Sequence, residues 1–447
     1  MLLLTALALS LSAADALRQG RFTMTSTAST EKINPRDERR RLMRSPNYNR
    51  MGFKEEKLGV EELMSSEFTS PLVRELRENQ GVLTRGDITI RLGSCPALAL
   101  FASRFLAEHY GFCWGVERAV AMAYEARSHF PEQTIHITNE IIHNPEVNER
   151  LQQMDIKFLE GGIGNKDYST VQEGDVVILP AFGATIQEMQ LLDRKNDKIV
   201  DTTCPWVSKV WNAVDSHRKS GQTSVIHGKY AHEETIATAS FCEDYIIIKD
   251  MAEAEYVIDY ILNGGDKEAF LKKFAKAVSK GFDPDVHLQR VGLANQTTMY
   301  KRETKEIGRA LEKAMLKKYG PEKLAEHYAE QDTICDATQE RQDAVTELVQ
   351  RGDVAFVLVV GGFDSSNTAH LKEIPHKFGV KSFHIDRAER IRPDNSIEHR
   401  EIDGSIVVEK DFLSKGKLTI GVTSGASTPD KSLEDAIEKM FLIHKLL

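Results

Sequence analysis

The 447-residue sequence lacks the features that mark several protein classes. It has no apolar run of about 18 residues, the length that a membrane-spanning helix needs, so no membrane partner is expected. Its five cysteines are too few and too widely spaced for a disulfide scaffold. Glycine, at 29 residues, and proline, at 13, are too scarce for a collagen-like or low-complexity chain. The composition indicates a globular protein of roughly two to four domains.

Basic residues are also in deficit, with 58 against 67 acidic residues and a formal net charge of −9. Residues 51–447 alone carry −14, from 49 basic and 63 acidic residues. Proteins that bind nucleic acid need a basic face to neutralise phosphates. We therefore expect no nucleic-acid partner.

The first 50 residues differ in composition from the rest. Residues 2–16 are apolar and end in small residues, as a secretory signal does before its cleavage site. Residues 17–50 hold nine basic and three acidic residues with many Ser and Thr, the composition of an organelle transit peptide. A signal followed by a transit segment is typical of plastids with additional membranes. We predict that residues 1–50 are a targeting segment outside the fold and that the protein enters a plastid, the chloroplast stroma. A disordered polar tail would have the same composition.

Three of the cysteines share one sequence context. Cys113, Cys204 and Cys335 each lie on a short loop that leads into a helical pattern of apolar residues. After Cys204, Pro205 suits the first position of a helix, where its missing N–H costs nothing. A thiolate at such a position is stabilised by the positive end of the helix. A single buried cysteine would need no such explanation, but three equivalent ones indicate a shared role.

The surroundings of these cysteines repeat three times. An apolar strand begins 20 to 22 residues after each cysteine, and a polar cluster begins 28 to 30 residues after it. A third apolar strand and a polar loop follow in each repeat. Near-continuous apolar strands alternating with helices predict parallel sheets covered on both faces. The predicted strands are Ile135–Ile137, Val176–Leu179, Ser224–Ile226, Val291–Leu293, Phe356–Val360 and Leu418–Val422.

We therefore predict an α/β fold of three similar modules, each with a small parallel sheet, around a pseudo-threefold axis. The loops at the carboxyl ends of the strands would then converge on one central site. The predicted divisions after the targeting segment are an N-terminal extension at 51–91, an insertion at 92–105, and modules at 106–200, 201–332 and 333–447.

Three convergent cysteines without a fourth predict a metal centre with one open position. Structural zinc normally has four ligands, often in C-x-x-C pairs, and no such pair occurs here. An iron–sulfur cluster held by three cysteines leaves one iron free for a substrate. Two alternatives remain at this point: a closed zinc site, and a single nucleophilic cysteine paired with His143 or His232.

The polar clusters indicate an anionic substrate. Their hydroxyl, amide and imidazole groups lie mostly on loops that lead into helices, where backbone N–H groups favour phosphates. No P-loop motif is present, so a nucleotide site of that kind is excluded. Helix capping would explain about half of these residues individually. Glu234 is the best candidate proton donor, because a closed pocket raises the pKa of a carboxyl. The candidate residues are His143, His232, Thr297, Thr298, Ser365, Ser366, Asn367 and Ser427.

Long motifs identify a family. The segments 111–119, 138–145, 201–207 and 421–430 resemble 4-hydroxy-3-methylbut-2-enyl diphosphate reductase of the plant and cyanobacterial type. The resemblance extends from about Lys54 to the C-terminus. It implies the last step of the methylerythritol phosphate route to isoprenoids, in which an allylic hydroxyl is removed with two electrons and protons. The products are isopentenyl diphosphate and dimethylallyl diphosphate.

The resemblance also implies a role for each matching residue. Cys113, Cys204 and Cys335 would hold one 4Fe-4S cluster, and Glu234 would donate a proton with the help of Thr297. A ferredoxin or a similar carrier would supply the electrons. The oligomeric state, a homodimer included, stays open. The residues that would bind the diphosphate are His143, His232, Thr297, Ser365, Ser366, Asn367 and Ser427.

The sequence departs from the family pattern in two places. Phe182 stands where bacterial members have a further diphosphate-binding histidine, so that contact must be absent or replaced. An apolar insertion, residues 92–105, carries Cys95 where the family runs straight through. It is either a real insertion or intron sequence read as protein.

Overall fold

The computed structural model describes residues 34–93, 111–162 and 164–447. The N-terminal part begins at Asn34, whose side chain caps the first helix by accepting a hydrogen bond from the Arg36 N–H. Its elements are α1 (Pro35–Leu42), β1 (Tyr48–Asn49), α2 (Lys57–Phe68), α3 (Pro71–Glu78), β2 (Val82–Arg85) and β3 (Ile88–Leu92).

The first module contains a five-stranded sheet in the order β1-β9-β8-β4-β5. All its pairings are parallel, including that of β1 with β9. Its further elements are α4 (Trp114–His129), β4 (Ile135–Ile137), α5 (Pro145–Gln153), β5 (Ile156–Phe158), β6 (Gly161–Gly162), β7 (Asn165–Lys166), β8 (Val176–Leu179), α6 (Ile186–Arg194) and β9 (Lys198–Asp201).

The second module contains a four-stranded parallel sheet in the order β11-β10-β12-β13. Its elements are α7 (Pro205–Lys219), β10 (Thr223–His227), α8 (Glu233–Ala239), β11 (Tyr245–Ile248), α9 (Met251–Asn263), α10 (Lys267–Lys273), α11 (Pro284–His287), β12 (Val291–Asn295), α12 (Lys301–Tyr319), a 3₁₀ turn (Pro321–Lys323), α13 (Leu324–His327) and β13 (Tyr328–Glu330).

The third module is built on an eight-stranded sheet with the path β16-β17-β15-β14-β19-β3-β2, and β18 pairs with β17. The N-terminal strands β2 and β3 therefore extend this sheet. Its elements are α14 (Asp336–Gln350), β14 (Phe356–Val360), α15 (Ser366–Lys377), β15 (Lys381–Ile385), a 3₁₀ turn (Ala388–Arg390), β16 (Ile391–Arg392), β17 (Ser396–Arg400), β18 (Ile406–Lys410), β19 (Leu418–Ser424) and α16 (Asp430–Leu446).

The predicted α/β class is confirmed: each module is built on one larger sheet, and β6 and β7 pair as a separate two-stranded sheet in the first module. The central strands β8, β10, β12 and β14 are buried along their whole length, which explains their near-continuous apolar sequences. The third sheet is larger than predicted, because antiparallel strands flank its parallel centre. No helix in the described ranges is long and apolar enough to cross a membrane.

Residues 34–50 lie inside the fold, so the expectation that all of residues 1–50 lie outside it is wrong. Strand β1 adds to the first sheet, and the Tyr48 hydroxyl donates a 2.7 Å hydrogen bond to the buried Asp201 carboxylate. Arg39 and Arg50 form ion pairs with the same carboxylate. Some of the arginines in residues 34–50 are therefore present because they form ion pairs with Asp201 of the first sheet.

The insertion prediction falls mostly outside the described residues. Leu92, its first residue, is the buried last residue of β3 and pairs with Val422. Gly93 follows it, and residues 94–110 are not described.

Candidate active site

The three predicted cysteines occupy the same structural position. Each is the N-cap residue of a long helix: Cys113 of α4, Cys204 of α7 and Cys335 of α14. None of the three thiols makes a side-chain capping hydrogen bond within its own helix. The helix N-termini at these positions favour thiolates.

The backbone at the cysteines joins the modules in cyclic order. The Cys113 N–H donates to the Ala426 carbonyl of the third module at 3.0 Å. The Cys204 N–H donates to Ala181 of the first module at 2.8 Å, and the Cys335 N–H to Thr297 of the second at 3.1 Å. Ala181 follows β8, Thr297 follows β12 and Ala426 follows β19, so each acceptor lies on a loop directly after one of the six predicted strands. One contact repeated three times brings the three cysteine loops to a common centre.

The thiols influence one another electrostatically. Burial raises the pKa of Cys204 to about 11, and the nearby Cys113 thiol contributes to that increase. Burial, with Cys113 and Cys204, raises the pKa of Cys335 to about 12. The fully buried Arg341 guanidinium donates to the Gly111 carbonyl at 2.7 Å and to Ala337 at 2.9 Å. It therefore connects the Cys113 and Cys335 loops and places a positive charge beside them.

In the described part of the chain, no group of three or more His, Cys, Asp or Glu side chains is spaced to hold a single metal ion. Thiolates that ligate different irons of one cluster lie further apart than ligands of one ion, because irons and sulfides lie between them. The donor set, three thiols near a buried cation, fits such a cluster.

Glu234 and Thr297 form the pair that the sequence predicted. Glu234 is 3% exposed, and its Oε1 accepts a 2.6 Å hydrogen bond from the Thr297 N–H. Its Oε2 accepts from the Thr297 hydroxyl at 3.0 Å. Burial raises the pKa of Glu234 to about 7, against the lowering effect of these two hydrogen bonds. A carboxyl with that pKa can hold a proton and release it near neutral pH.

Two histidine rings meet edge-on beside Glu234. His232 caps α8, and its Nδ1 accepts a hydrogen bond from the Glu234 N–H at 3.2 Å. Burial lowers the pKa of His232 to about 3, so the ring is neutral and carries its proton on Nε2. The His143 ring lies 5.4 Å from it, centroid to centroid, with Nδ1 bonded to Glu140. The buried His143 Nε2 has no partner among the described residues.

Phe182 packs against both histidines of the site. Its ring lies parallel to that of His143, with centroids 4.8 Å apart and planes at 13°. The same ring meets His232 edge-on at 6.4 Å. Phe182 therefore fixes the orientation of His143 instead of offering a donor to a phosphate.

The third module supplies the remaining predicted residues. Ser365 caps α15, and the neighbouring Ser366 hydroxyl accepts a hydrogen bond from Gln296 at 3.2 Å. Asn367 accepts from the Ala426 N–H through Oδ1, while its buried Nδ2 has no partner among the described residues. The Ser427 hydroxyl donates to the His143 carbonyl at 3.2 Å. These contacts bring residues of the first and third modules together.

Gln296 was not assigned a role from the sequence, although it precedes Thr297. Its Oε1 accepts from the Lys229 N–H and the Thr235 hydroxyl at 3.1 and 3.2 Å. Its Nε2 donates to the Thr298 and Ser366 hydroxyls. This buried amide therefore holds the second and third modules in register.

A cavity of about 540 Å³ opens onto this site. It is lined by His143, His232 and Ser366 and extends outward past Lys229 and Arg400. Its lining carries charges of both signs. The sequence did not identify Lys229 or Arg400, and Arg400 reaches the cavity only because β17 returns to the sheet beside it.

The other two cysteines are not at this centre. Cys242 packs between the cores of the first and second modules, and its thiol lies 3.6 Å from the Thr238 carbonyl. Burial raises its pKa to about 12. Cys95 lies outside the described residues.

The chain is similar in sequence to a family of known proteins. The LytB protein family matches residues 105–441. A 4-hydroxy-3-methylbut-2-enyl diphosphate reductase from a Nostoc species is 56% identical over 405 residues, covering 91% of this chain and 97% of that one. The enzyme of the same name from Nostoc punctiforme is 54% identical over the same shares.

Among solved structures, the E-1-hydroxy-2-methyl-but-2-enyl-4-diphosphate reductase of Plasmodium falciparum has a similar fold. The TM-score is 0.53 at 21% sequence identity, over 74% of this chain and 85% of that one. The family model and the similar sequences therefore indicate the same family. The chain belongs to the LytB family of 4-hydroxy-3-methylbut-2-enyl diphosphate reductases.

Proposed function

We propose that this oxidoreductase of isoprenoid biosynthesis performs its reaction at the centre where its three modules meet. The observation that carries the proposal is the cyclic set of contacts that brings Cys113, Cys204 and Cys335 together at three helix N-termini. The substrate is 4-hydroxy-3-methylbut-2-enyl diphosphate. Its allylic C–O bond breaks, a C–H bond forms, and the hydroxyl leaves as water. Two electrons and two protons complete the balance, giving isopentenyl or dimethylallyl diphosphate.

The three cysteines would hold one 4Fe-4S cluster. Bound there, the cluster supplies electrons and an open iron for the substrate hydroxyl. Arg341 is the nearby fully buried cation, and it offsets the negative charge of the thiolates. Gly115 packs so closely that a Cβ at its position would lie 2.5 Å from the Cys204 sulfur. A glycine at this position therefore leaves room for the sulfur.

Glu234 is the proton donor in this proposal. Its pKa of about 7 keeps a large share of the carboxyl protonated at neutral pH. Thr297 bonds both carboxyl oxygens and holds the group in place. A protonated carboxyl beside the departing oxygen converts hydroxide, a poor leaving group, into water.

The diphosphate would be bound by groups from all three modules. The His232 Nε2–H and the Asn367 Nδ2, which has no partner among the described residues, can donate to phosphate oxygens. His143 contributes through Nε2, to which no described residue hydrogen-bonds, and the hydroxyls of Ser365, Ser366 and Ser427 lie nearby. The N-terminus of α15 adds backbone N–H groups that favour an anion.

The electrons would come from a ferredoxin or a similar one-electron carrier.

The protein would act in a plastid. Six of the nine basic residues in 17–50 lie in the folded part, so we assign the proposed targeting segment to residues 1–33. That segment is still rich in Ser and Thr, with Glu31 the one acid after Asp15. A fluorescent protein fused behind residues 1–33 should enter plastids, and cytosolic fluorescence would contradict the localisation.

Cysteine substitution tests the cluster. Serine at Cys113, Cys204 or Cys335 should lower iron per chain in anaerobically purified protein and remove its visible absorption. Cys242→Ser is the matched control, because Cys242 is buried away from the centre, and it should keep its iron. Full iron retention in Cys204→Ser would contradict the proposal.

A further inference from the structure

A basic surface lies beside the cysteine centre of this acidic protein. Residues 34–50 contain six arginines and two acids, whereas the whole chain has a net charge of −9. We name these arginines the arginine face; they are Arg36, Arg39, Arg40, Arg41, Arg44 and Arg50.

The positive charge of the arginine face exceeds that of the acids it contacts. The buried Asp201 carboxylate is shared by Arg39 and Arg50, at 3.5 and 3.1 Å. The buried Asp215 carboxylate is shared by Arg36 of the face and by two cations of α7. Arg40 also pairs with Asp37, and Arg41 pairs with Glu38 and Asp193. The six arginines and the two α7 cations therefore meet five carboxylates, which leaves a net charge of about +3 on this surface.

The arginine face is connected to the cysteine centre through short contacts. Arg39 and Arg50 both donate to the Ser208 hydroxyl at 3.4 Å, and the Ser208 N–H donates to the Cys204 carbonyl. Arg118, on the first turns of α4, donates to the Arg50 carbonyl at 2.6 Å. The face thus borders the first turns of the two helices that carry Cys113 and Cys204.

A large aromatic side chain is exposed at the same place. Trp114 directly follows Cys113 and is 55% exposed. It lies one helical turn before Arg118, on the same side of α4. Exposed tryptophan and arginine are the residues most enriched at the energetic centres of protein interfaces.

We infer that Trp114 and the arginine face dock an acidic electron-carrier protein, which delivers electrons at the Cys113 edge of the centre. This inference rests on the proposed function and adds where its electron donor binds. An acidic carrier is the partner that complements the face, and opposite charges accelerate encounters between proteins by about 10- to 1,000-fold. Small transient interfaces are usual for redox partners, so one aromatic anchor within a charged rim suffices.

Charge reversal on the exposed part of this surface tests the inference. The triple variant Arg40→Glu, Arg44→Glu and Lys209→Glu changes exposed residues only. Lys209 flanks the arginine face, because it follows Ser208, which Arg39 and Arg50 both contact. The matched control reverses Lys272, Lys276 and Lys280, exposed residues near α10 in the second module. Turnover is measured anaerobically with two donors: a reduced plant-type 2Fe-2S ferredoxin, and methyl viologen reduced by dithionite.

With ferredoxin at low ionic strength, kcat/KM of the triple variant should fall at least about tenfold, and the difference should shrink as salt is added. Turnover with methyl viologen and iron per chain should match the wild type, and the control should behave as wild type with both donors. Trp114→Ser should also lose ferredoxin-driven turnover while keeping its iron.

Equal ferredoxin-driven kcat/KM for the triple variant and its control would overturn the docking site. Failure of the proposed function has a different result, namely a wild-type protein that does not turn over with methyl viologen. In that case the docking site is still tested by calorimetry. The affinity for ferredoxin should be weaker in the triple variant than in the wild type and unchanged in the control.

Discussion

Replacing Glu234 with glutamine should slow the reaction and yet stabilise the protein at alkaline pH. Glutamine keeps both contacts with Thr297, because its carbonyl accepts from the N–H and its amide donates to the hydroxyl oxygen. It cannot supply a proton. General acid catalysis typically contributes about 10²- to 10⁴-fold, so turnover should fall by roughly that factor while substrate affinity and iron content persist.

The stability effect follows from the cost of burying a charge. Burial raises the pKa of Glu234 from 4.5 to about 7, so the folded protein holds a proton that the unfolded chain releases above pH 4.5. Wild-type stability attributable to Glu234 is therefore full below pH 4.5 and declines as the pH rises to about 7. The decline amounts to roughly 3 kcal/mol, since one pKa unit corresponds to about 1.36 kcal/mol. E234Q escapes it.

The assay combines turnover with reduced methyl viologen, substrate affinity by calorimetry under argon, and Tm between pH 4.5 and 8. The Tm of E234Q should exceed that of the wild type by an amount that grows with pH. Glu253→Gln is a control, because this buried carboxyl of the same module bonds Tyr230 outside the site. Normal turnover of E234Q, or lost affinity at an unchanged rate, would refute the proton-donor role. A Tm advantage that does not grow with pH would refute the burial argument.

Three other substitutions should each affect one part of the site. His232→Ala removes an Nε2–H donor to the diphosphate. A hydrogen bond to a charged group is worth about 1.5–3 kcal/mol, so KM should rise roughly 10- to 150-fold. Steady-state kinetics should show little change in kcat. Gly115→Ala places a Cβ against the Cys204 sulfur, so iron per chain should fall although every thiol remains; normal iron content would show that the helices can move apart. Arg341→Met removes a buried cation that joins two cysteine loops, so iron should dissociate faster in chelator, and an unchanged rate would contradict that role.

Local sequence signals determined much of the fold. The helix starts after Cys113, Cys204 and Cys335 could be predicted because helical apolar spacing and a residue such as Pro205 act within one or two turns. The six central strands also match the prediction, because strands buried on both faces need continuous apolar residues. Glu234 could be selected as a candidate proton donor for a similar reason, because it lies in a polar cluster that follows one of these strands.

Contacts between distant segments could not be predicted in this way. Residues 34–50 have the composition of a targeting segment, and only the buried Asp201 carboxylate shows why their arginines belong to the fold. Arg400 reaches the cavity because β17 pairs back onto the third sheet. Periodicity reports which face of an element is buried, but not which element covers it. The energy of an ion pair or a buried amide depends on a partner far away in sequence, and only the tertiary structure places that partner.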